Sequence, residues 1–207
     1  MIPWNAITSI GDSTITLSIG LIIVTWLFVG RAWHLALSWC IAFGIAMLIV
    51  TASKIAFIGW GIGSEALDFT GFSGHAARAT AVFPMLFYLA FQRAPRRIFS
   101  IPVVLGWLFS LVICVSRVVV GAHSISEAVT GAIMGTLVSL FFLLVATRYS
   151  VLISRRWLMV PSILLILLSP VAEPAPTQQV LTAVALKLSG HEKPFERAMW
   201  KYPRKSL

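Results

Sequence analysis

Between Trp33 and Ser53 the chain runs for 21 residues without an aspartate, glutamate, lysine or arginine, and this stretch limits the possible folds more than any other feature. About 20 apolar residues at 1.5 Å each match the roughly 30 Å hydrocarbon core of a bilayer. The run extends to Ile58, with the ionisable Lys54 near its end, and it has counterparts at Thr14 to Val29, Ala76 to Phe91, Ile98 to Val115 and Ser124 to Ala146. A shorter one, Leu158 to Val171, has Pro161 near its start and Pro170, Pro174 and Pro176 at its end. None of these runs alternates with the period of two that marks a membrane strand, and backbone groups in lipid must be paired within their own segment. The expected fold class is therefore all-α, a polytopic membrane helical bundle of about six transmembrane helices. Thr177 to Ser189 reads as an interfacial helix. Residues 1–190 form a single membrane-embedded domain in this reading, and residues 191–207 a polar, basic, peripheral C-terminal tail.

With 58% of its residues hydrophobic, the chain is more apolar than a soluble domain, for which about 45–50% is usual. Its net charge of +9 would suggest nucleic acid in a soluble protein, yet the arginines cluster at the ends of apolar runs, so no nucleic-acid partner is expected. Arg93, Arg96 and Arg97, then Arg148, Arg155 and Arg156, with Arg31 on the same side, mark cytoplasmic loops by the positive-inside bias. The basic tail falls on the other side, and tails obey the bias loosely. Cys40 and Cys114 lie inside apolar runs and read as small hydrophobes. No basic leader precedes the first run, which is taken as a retained span.

Two loops break the apolar pattern. Thr51 to His75 and Ser116 to Glu127 hold Lys54, Glu65, Asp68, Ser73, His75, Ser116, Arg117, His123 and Glu127. Ionisable groups at membrane helix ends are costly unless they face a cavity or each other, so their concentration marks a functional site. The second span reaches one face near Lys54, the third leaves that face at His75, and the fourth returns to it at Ser116. All these groups therefore converge on one side of the membrane.

The order Lys54, then Ser73-Gly74-His75, then Ser116-Arg117 with five residues before His123 and Glu127 four beyond, resembles the type 2 phosphatidic acid phosphatase superfamily. Its pattern is a lysine, a Pro-Ser-Gly-His element, and Ser-Arg-x5-His-x3-Asp. The resemblance covers roughly Thr51 to Thr136. It implies a membrane-embedded lipid phosphate phosphatase acting through a phosphohistidine intermediate, with no metal and no cofactor. In that scheme His123 is the nucleophile, Glu127 orients its imidazole, and His75 is the general acid. Lys54, Arg117, Ser73, Ser116 and the Gly74 amide bind the phosphoryl oxygens, where charge is concentrated in the transition state. Glu65 and Asp68 are expected to satisfy the loop or cap the following segment, since carboxylates repel phosphate, and Arg78 faces either the site or another helix.

The chain departs from the pattern in three places. Phe72 precedes Ser-Gly-His in place of proline, Glu127 replaces the aspartate, and Gly61 and Ile62 stand where an Arg-Pro pair is often found. The last change removes one phosphate-binding guanidinium. The series Gly59, Gly61, Gly63 has no preceding strand, so it reads as a turn or close packing and not a nucleotide loop. The resemblance leaves the lipid open among polyprenyl pyrophosphates such as undecaprenyl pyrophosphate, phosphatidic acid, phosphatidylglycerol phosphate and lipid A phosphates. It also leaves open a lipid-to-lipid phosphotransferase with the same site, or a lipid-binding or transport protein without turnover. A soluble haloperoxidase with the same motifs is incompatible with the continuous apolar spans. The charge bias points to a multi-pass protein of a bacterial plasma (inner) membrane with the site facing the extracytoplasmic side; oligomeric state is not specified by the sequence.

Overall fold

The computed structural model describes residues 3–92, 100–147, 162 and 177–201. The described residues form eight helices: α1 (Trp4–Ile10), α2 (Ser13–Val29), α3 (Trp33–Trp60), α4 (Gly74–Ala90), α5 (Ser100–Val119), α6 (Ile125–Ala146), α7 (Thr177–Ser189) and α8 (Ala198–Lys201). A lone antiparallel bridge, Ser64 to Phe69, closes the α3–α4 loop and is the one β pairing among them.

Among the described residues four stretches are long and apolar enough to cross a membrane: Trp4–Val29, Trp33–Trp60, Ser100–Val119 and Ile125–Ala146. The expected third span appears as α4, which has 17 residues and so spans about 26 Å at 1.5 Å per residue. It lies at the centre of the bundle, packed against α2, α3, α5 and α6, which is why eleven of its residues are buried despite their modest apolarity. The expected sixth span falls outside the described residues apart from Ser162, whose hydroxyl accepts a hydrogen bond from Trp26 Nε1 at 3.0 Å. Leu21, Leu37, Leu48, Leu108, Leu137 and Leu144 all point outward and are exposed. Such a surface would aggregate in water and is the natural face of a bundle in lipid.

Lipid tails are as apolar as leucine, so membrane helices gain by close backbone approach and shared hydrogen bonds. Gly131 and Gly135 supply the approach on α6. A Cβ on Gly131 would lie 2.5 Å from the Ser73 carbonyl oxygen, and one on Gly135 would run into the Ala77 carbonyl. Polar ties add to it: the Thr80 hydroxyl lies 3.1 Å from the Ala132 carbonyl oxygen, Ser110 Oγ lies 2.9 Å from that of Ala79, and Trp107 Nε1 donates to Ser139 Oγ at 3.1 Å. With α6 and α5 seated on α4 in this way, the ends of α3 and α5 and the starts of α2, α4 and α6 meet at one end of the bundle. The convergence expected from the order of the spans is present.

Candidate active site

The first turn of α6 fixes two of the site's side chains at once. Ser124 is its N-cap: Ser124 Oγ accepts from the Glu127 amide at 3.3 Å, and Glu127 Oε2 accepts from the Ser124 amide at 3.3 Å. This reciprocal capping box satisfies two otherwise unpaired amides. The same Oε2 lies 2.7 Å from His123 Nδ1. Glu127 Oε1 accepts from the Thr70 amide at 2.7 Å, from the Thr70 hydroxyl, and from Arg197 Nη2 at 2.7 Å. A carboxylate holding five donors has no proton to give, so His123 carries its proton on Nδ1 and keeps the Nε2 lone pair. Burial lowers the His123 pKa from its usual range, against the pull of the Glu127 hydrogen bond, and so favours the neutral, nucleophilic ring.

His75 stands in the first turn of α4, its Nε2 2.7 Å from Asp12 Oδ1 at the head of α2. Its other ring nitrogen, Nδ1, makes no hydrogen bond among the described residues. Three cations complete the group. Lys54 sits six residues before the last residue of α3, about 9 Å below the helix end, and Lys54 Nζ has no hydrogen bond or ion pair among the described residues. Arg117 Nη1 donates to Thr8 Oγ1 at 2.9 Å while its buried Nε has no partner among the described residues. Arg78 Nε donates to Thr16 Oγ1 at 3.0 Å.

Lys54, Gly74, His75, Arg78, Arg117, His123 and Glu127 all line one cavity of about 830 Å³. Its other wall combines the apolar Val50, Phe57, Ile58, Val180, Leu181 and Phe195 with Thr177, Gln178, Glu196 and Arg197. Two expected members stand behind the wall. Ser73 is fully buried as the N-cap of α4, accepting from the Ala76 amide at 3.4 Å while its own amide donates to the Glu127 carbonyl at 3.0 Å. Ser116 is equally buried and donates to the Ile113 carbonyl at 2.6 Å. Among the described residues no three His, Cys, Asp or Glu side chains converge as a metal-ligand set.

Sequence reasoning did not single out Asp12, Thr70 or Arg197. Asp12 had a signal, being the one carboxylate before Glu65 and placed at the head of an apolar span, where a charge needs a partner. Arg197 had none, because the basic tail reads as peripheral. In the structure it reaches the centre of the site.

The model of a family described as the PAP2 superfamily, the type 2 phosphatidic acid phosphatases, matches residues 14–150. The chain belongs to the PAP2 superfamily. Membership supports a lipid-phosphate hydrolase role in general. A protein of Klebsiella pneumoniae described as an uncharacterized 22.5 kDa protein in the cps region is 37% identical over 205 residues, covering 94% of this chain and 95% of that protein. No solved structure matches. The PAP2 match includes Lys54, His75, Arg117, His123 and Glu127 but ends before Arg197.

Proposed function

We propose that the protein hydrolyses a phosphomonoester or pyrophosphate of a lipid through a phosphohistidine on His123. One observation carries this reading: the Nδ1 of His123 is held at 2.7 Å by a saturated Glu127 carboxylate, which leaves the Nε2 lone pair beside the cavity lined by Lys54, Arg78 and Arg117.

In the first step Nε2 attacks phosphorus in line with the bond to the lipid oxygen. A P–N bond forms, the P–O bond breaks, and the departing oxygen takes a proton from His75. In the second step water attacks the phosphohistidine and gives its proton to His75; the P–N bond breaks and inorganic phosphate leaves. The three cations offset the charge on the phosphoryl oxygens, a role that needs no metal. Arg117 Nε, buried and without an acceptor among the described residues, is suited to a phosphoryl oxygen. The Asp12 carboxylate orients the His75 ring through their 2.7 Å contact; with Arg117, Arg78 and Lys54 around it, His75 takes up the proton it delivers once the phosphate charge has entered the cavity and offset those cations. The apolar side chains in the other wall, Phe57, Ile58, Val180 and Leu181 among them, favour a substrate with a hydrocarbon chain over a soluble phosphate ester.

The loop arginines at 93–97 and 148–156 favour a cytoplasmic position for the opposite end of the bundle, hence a site on the extracytoplasmic face of a bacterial plasma membrane.

The test is phosphate release by the purified protein from a panel of lipid phosphates in detergent, with and without EDTA and vanadate. Activity on at least one lipid, retained in EDTA, inhibited by vanadate and abolished in His123→Ala, is expected, together with an acid-labile, alkali-stable phosphoprotein in quenched reactions. Turnover by folded His123→Ala would overturn the nucleophile assignment, and loss of activity in EDTA with recovery on added metal would overturn the metal-free mechanism.

A further inference from the structure

The segment after α7 is docked onto the site by contacts of several kinds. Gly190 turns the chain in the left-handed region at φ +72°. His191 Nδ1 then lies 2.8 Å from the Gly59 carbonyl oxygen, and the Phe195 amide donates to the Ile58 carbonyl at 2.9 Å. Both acceptors belong to the last turn of α3, whose carbonyls have no partner within the helix. The Trp200 ring meets Phe57 edge to face at a centroid distance of 5.3 Å. The Phe195 ring covers Gly61, where a Cβ would come within 2.9 Å of it. An arginine at position 61 would displace that ring.

Docked in this way, the segment delivers one guanidinium to the centre of the site. Arg197 Nη2 lies 2.7 Å from Glu127 Oε1, and its Nε lies 3.2 Å from Asp68 Oδ1. Asp68 is held at φ +49°, a left-handed conformation that a non-glycine residue seldom adopts, in the loop closed by the Ser64 to Phe69 bridge. The Glu127 side chain is 1% exposed, so water does not compensate its charge on the Oε1 side. The guanidinium does so together with the Thr70 amide and hydroxyl, and with Oε1 taken by these three donors Oε2 is left for His123.

We propose that Arg197 is a positioning residue of the His123–Glu127 dyad, delivered by the C-terminal segment, which acts on the reaction by fixing the carboxylate that orients the nucleophile. The proposal rests on the phosphatase reading above, with Arg197 acting through Glu127 and not as a ligand of the substrate phosphate.

The test compares Arg197→Gln and Arg197→Lys with the wild-type full chain, alone and in the Glu127→Gln background. Arg197→Gln is expected to lower kcat about tenfold or more with KM changed less than threefold, and Arg197→Lys to restore part of the loss. In the Glu127→Gln background it should cost nothing further. The charges that face His123 from the surrounding helices, Glu127, Lys54, Arg117 and His75, all remain in the single variant. Removing the Arg197 cation should therefore raise the His123 pKa and move the acid limb of kcat/KM upward. Unchanged kcat and acid limb would overturn the proposal. So would a loss confined to KM that persists in Glu127→Gln, which would make Arg197 a phosphate ligand. The titration of His123 by ¹⁵N NMR in detergent reads the same pKa change without turnover. An inactive wild type would thus count against the phosphatase reading alone, while an unmoved titration would count against the role of Arg197. Should Arg197→Gln not fold, Arg197→Lys carries the kinetic comparison, with the double variant made on the lysine.

Discussion

Replacing Glu127 by glutamine removes a charge while nearly keeping the volume, and the donors around the side chain decide which way the new amide turns. Oε1 faces three donors, the Thr70 amide, the Thr70 hydroxyl and Arg197 Nη2, while Oε2 faces two, His123 Nδ1 and the Ser124 amide. A carboxamide has one oxygen. The side with three donors, one of them cationic, holds it, so the NH₂ group turns to His123 and the Ser124 amide. His123 can then accept only on Nδ1, which moves its proton to Nε2 and removes the nucleophilic lone pair. A wrong-tautomer substitution in a serine protease triad lowers kcat about 10⁴-fold. A loss of about 10³- to 10⁴-fold is expected here, or roughly 4–5.5 kcal/mol at 1.36 kcal/mol per decade. Stability should fall as well, by about 1–3 kcal/mol, because the Ser124 amide is left facing a donor. The assay is initial-rate phosphate release in detergent with elution volume and thermal melting as controls for folding. A folded Glu127→Gln protein that keeps a tenth or more of wild-type kcat would refute the tautomer argument.

Asp12→Asn should lower kcat about 10²-fold on a lipid alkyl phosphate but far less on p-nitrophenyl phosphate, whose leaving group needs no proton; equal losses on both would show that Asp12 does not act through His75. Gly135→Leu should abolish assembly of the bundle, since the new side chain meets the Ala77 carbonyl, and a normal elution volume and melting temperature would contradict this. Because burial lowers the folded-state pKa of His123, the unfolded chain binds more protons between that value and about 6.5. The His123 contribution to stability should be complete above about pH 6.5 and be lost as pH falls toward the folded value, and thermal melts across pH 5–8 should show a shallower acid decline in His123→Asn.

The placement of Lys54, His75, Arg117, His123 and Glu127 at one end of the bundle was legible because spans alternate direction, so motif residues at the ends of the second and fourth and the starts of the third and fifth must share a face. Rotamers were not legible in the same way. Ser73 and Ser116 stand in motif positions, yet their hydroxyls bond to backbone behind the cavity wall, because each caps or lines a helix end whose amides and carbonyls compete for it. Arg78, left between two neighbours in sequence, does both, lining the cavity while donating to Thr16. Gly61 proves to be the left-handed cap of α3 at φ +69°, a turn as its spacing suggested. Asp68 serves the loop, as expected of a carboxylate near phosphate, but its partner Arg197 lies far along the chain. Nothing local could announce that pairing, since the polar segment that carries it looks like any solvated tail.

The pairing of Glu127 with Arg197 also sets a timetable. The two residues are 70 apart in the chain, so at a synthesis rate of about 5–20 residues per second roughly 4 to 14 s separate their emergence from the ribosome. Throughout that interval α6 can enter the bilayer with its first-turn carboxylate lacking its guanidinium. The capping box and His123 are available to it at once, being local, whereas the long-range partner arrives only after α7 has been made. Insertion of α6 and completion of its charge balance are thus separate events in the life of the chain, and the second waits for the segment that follows α7.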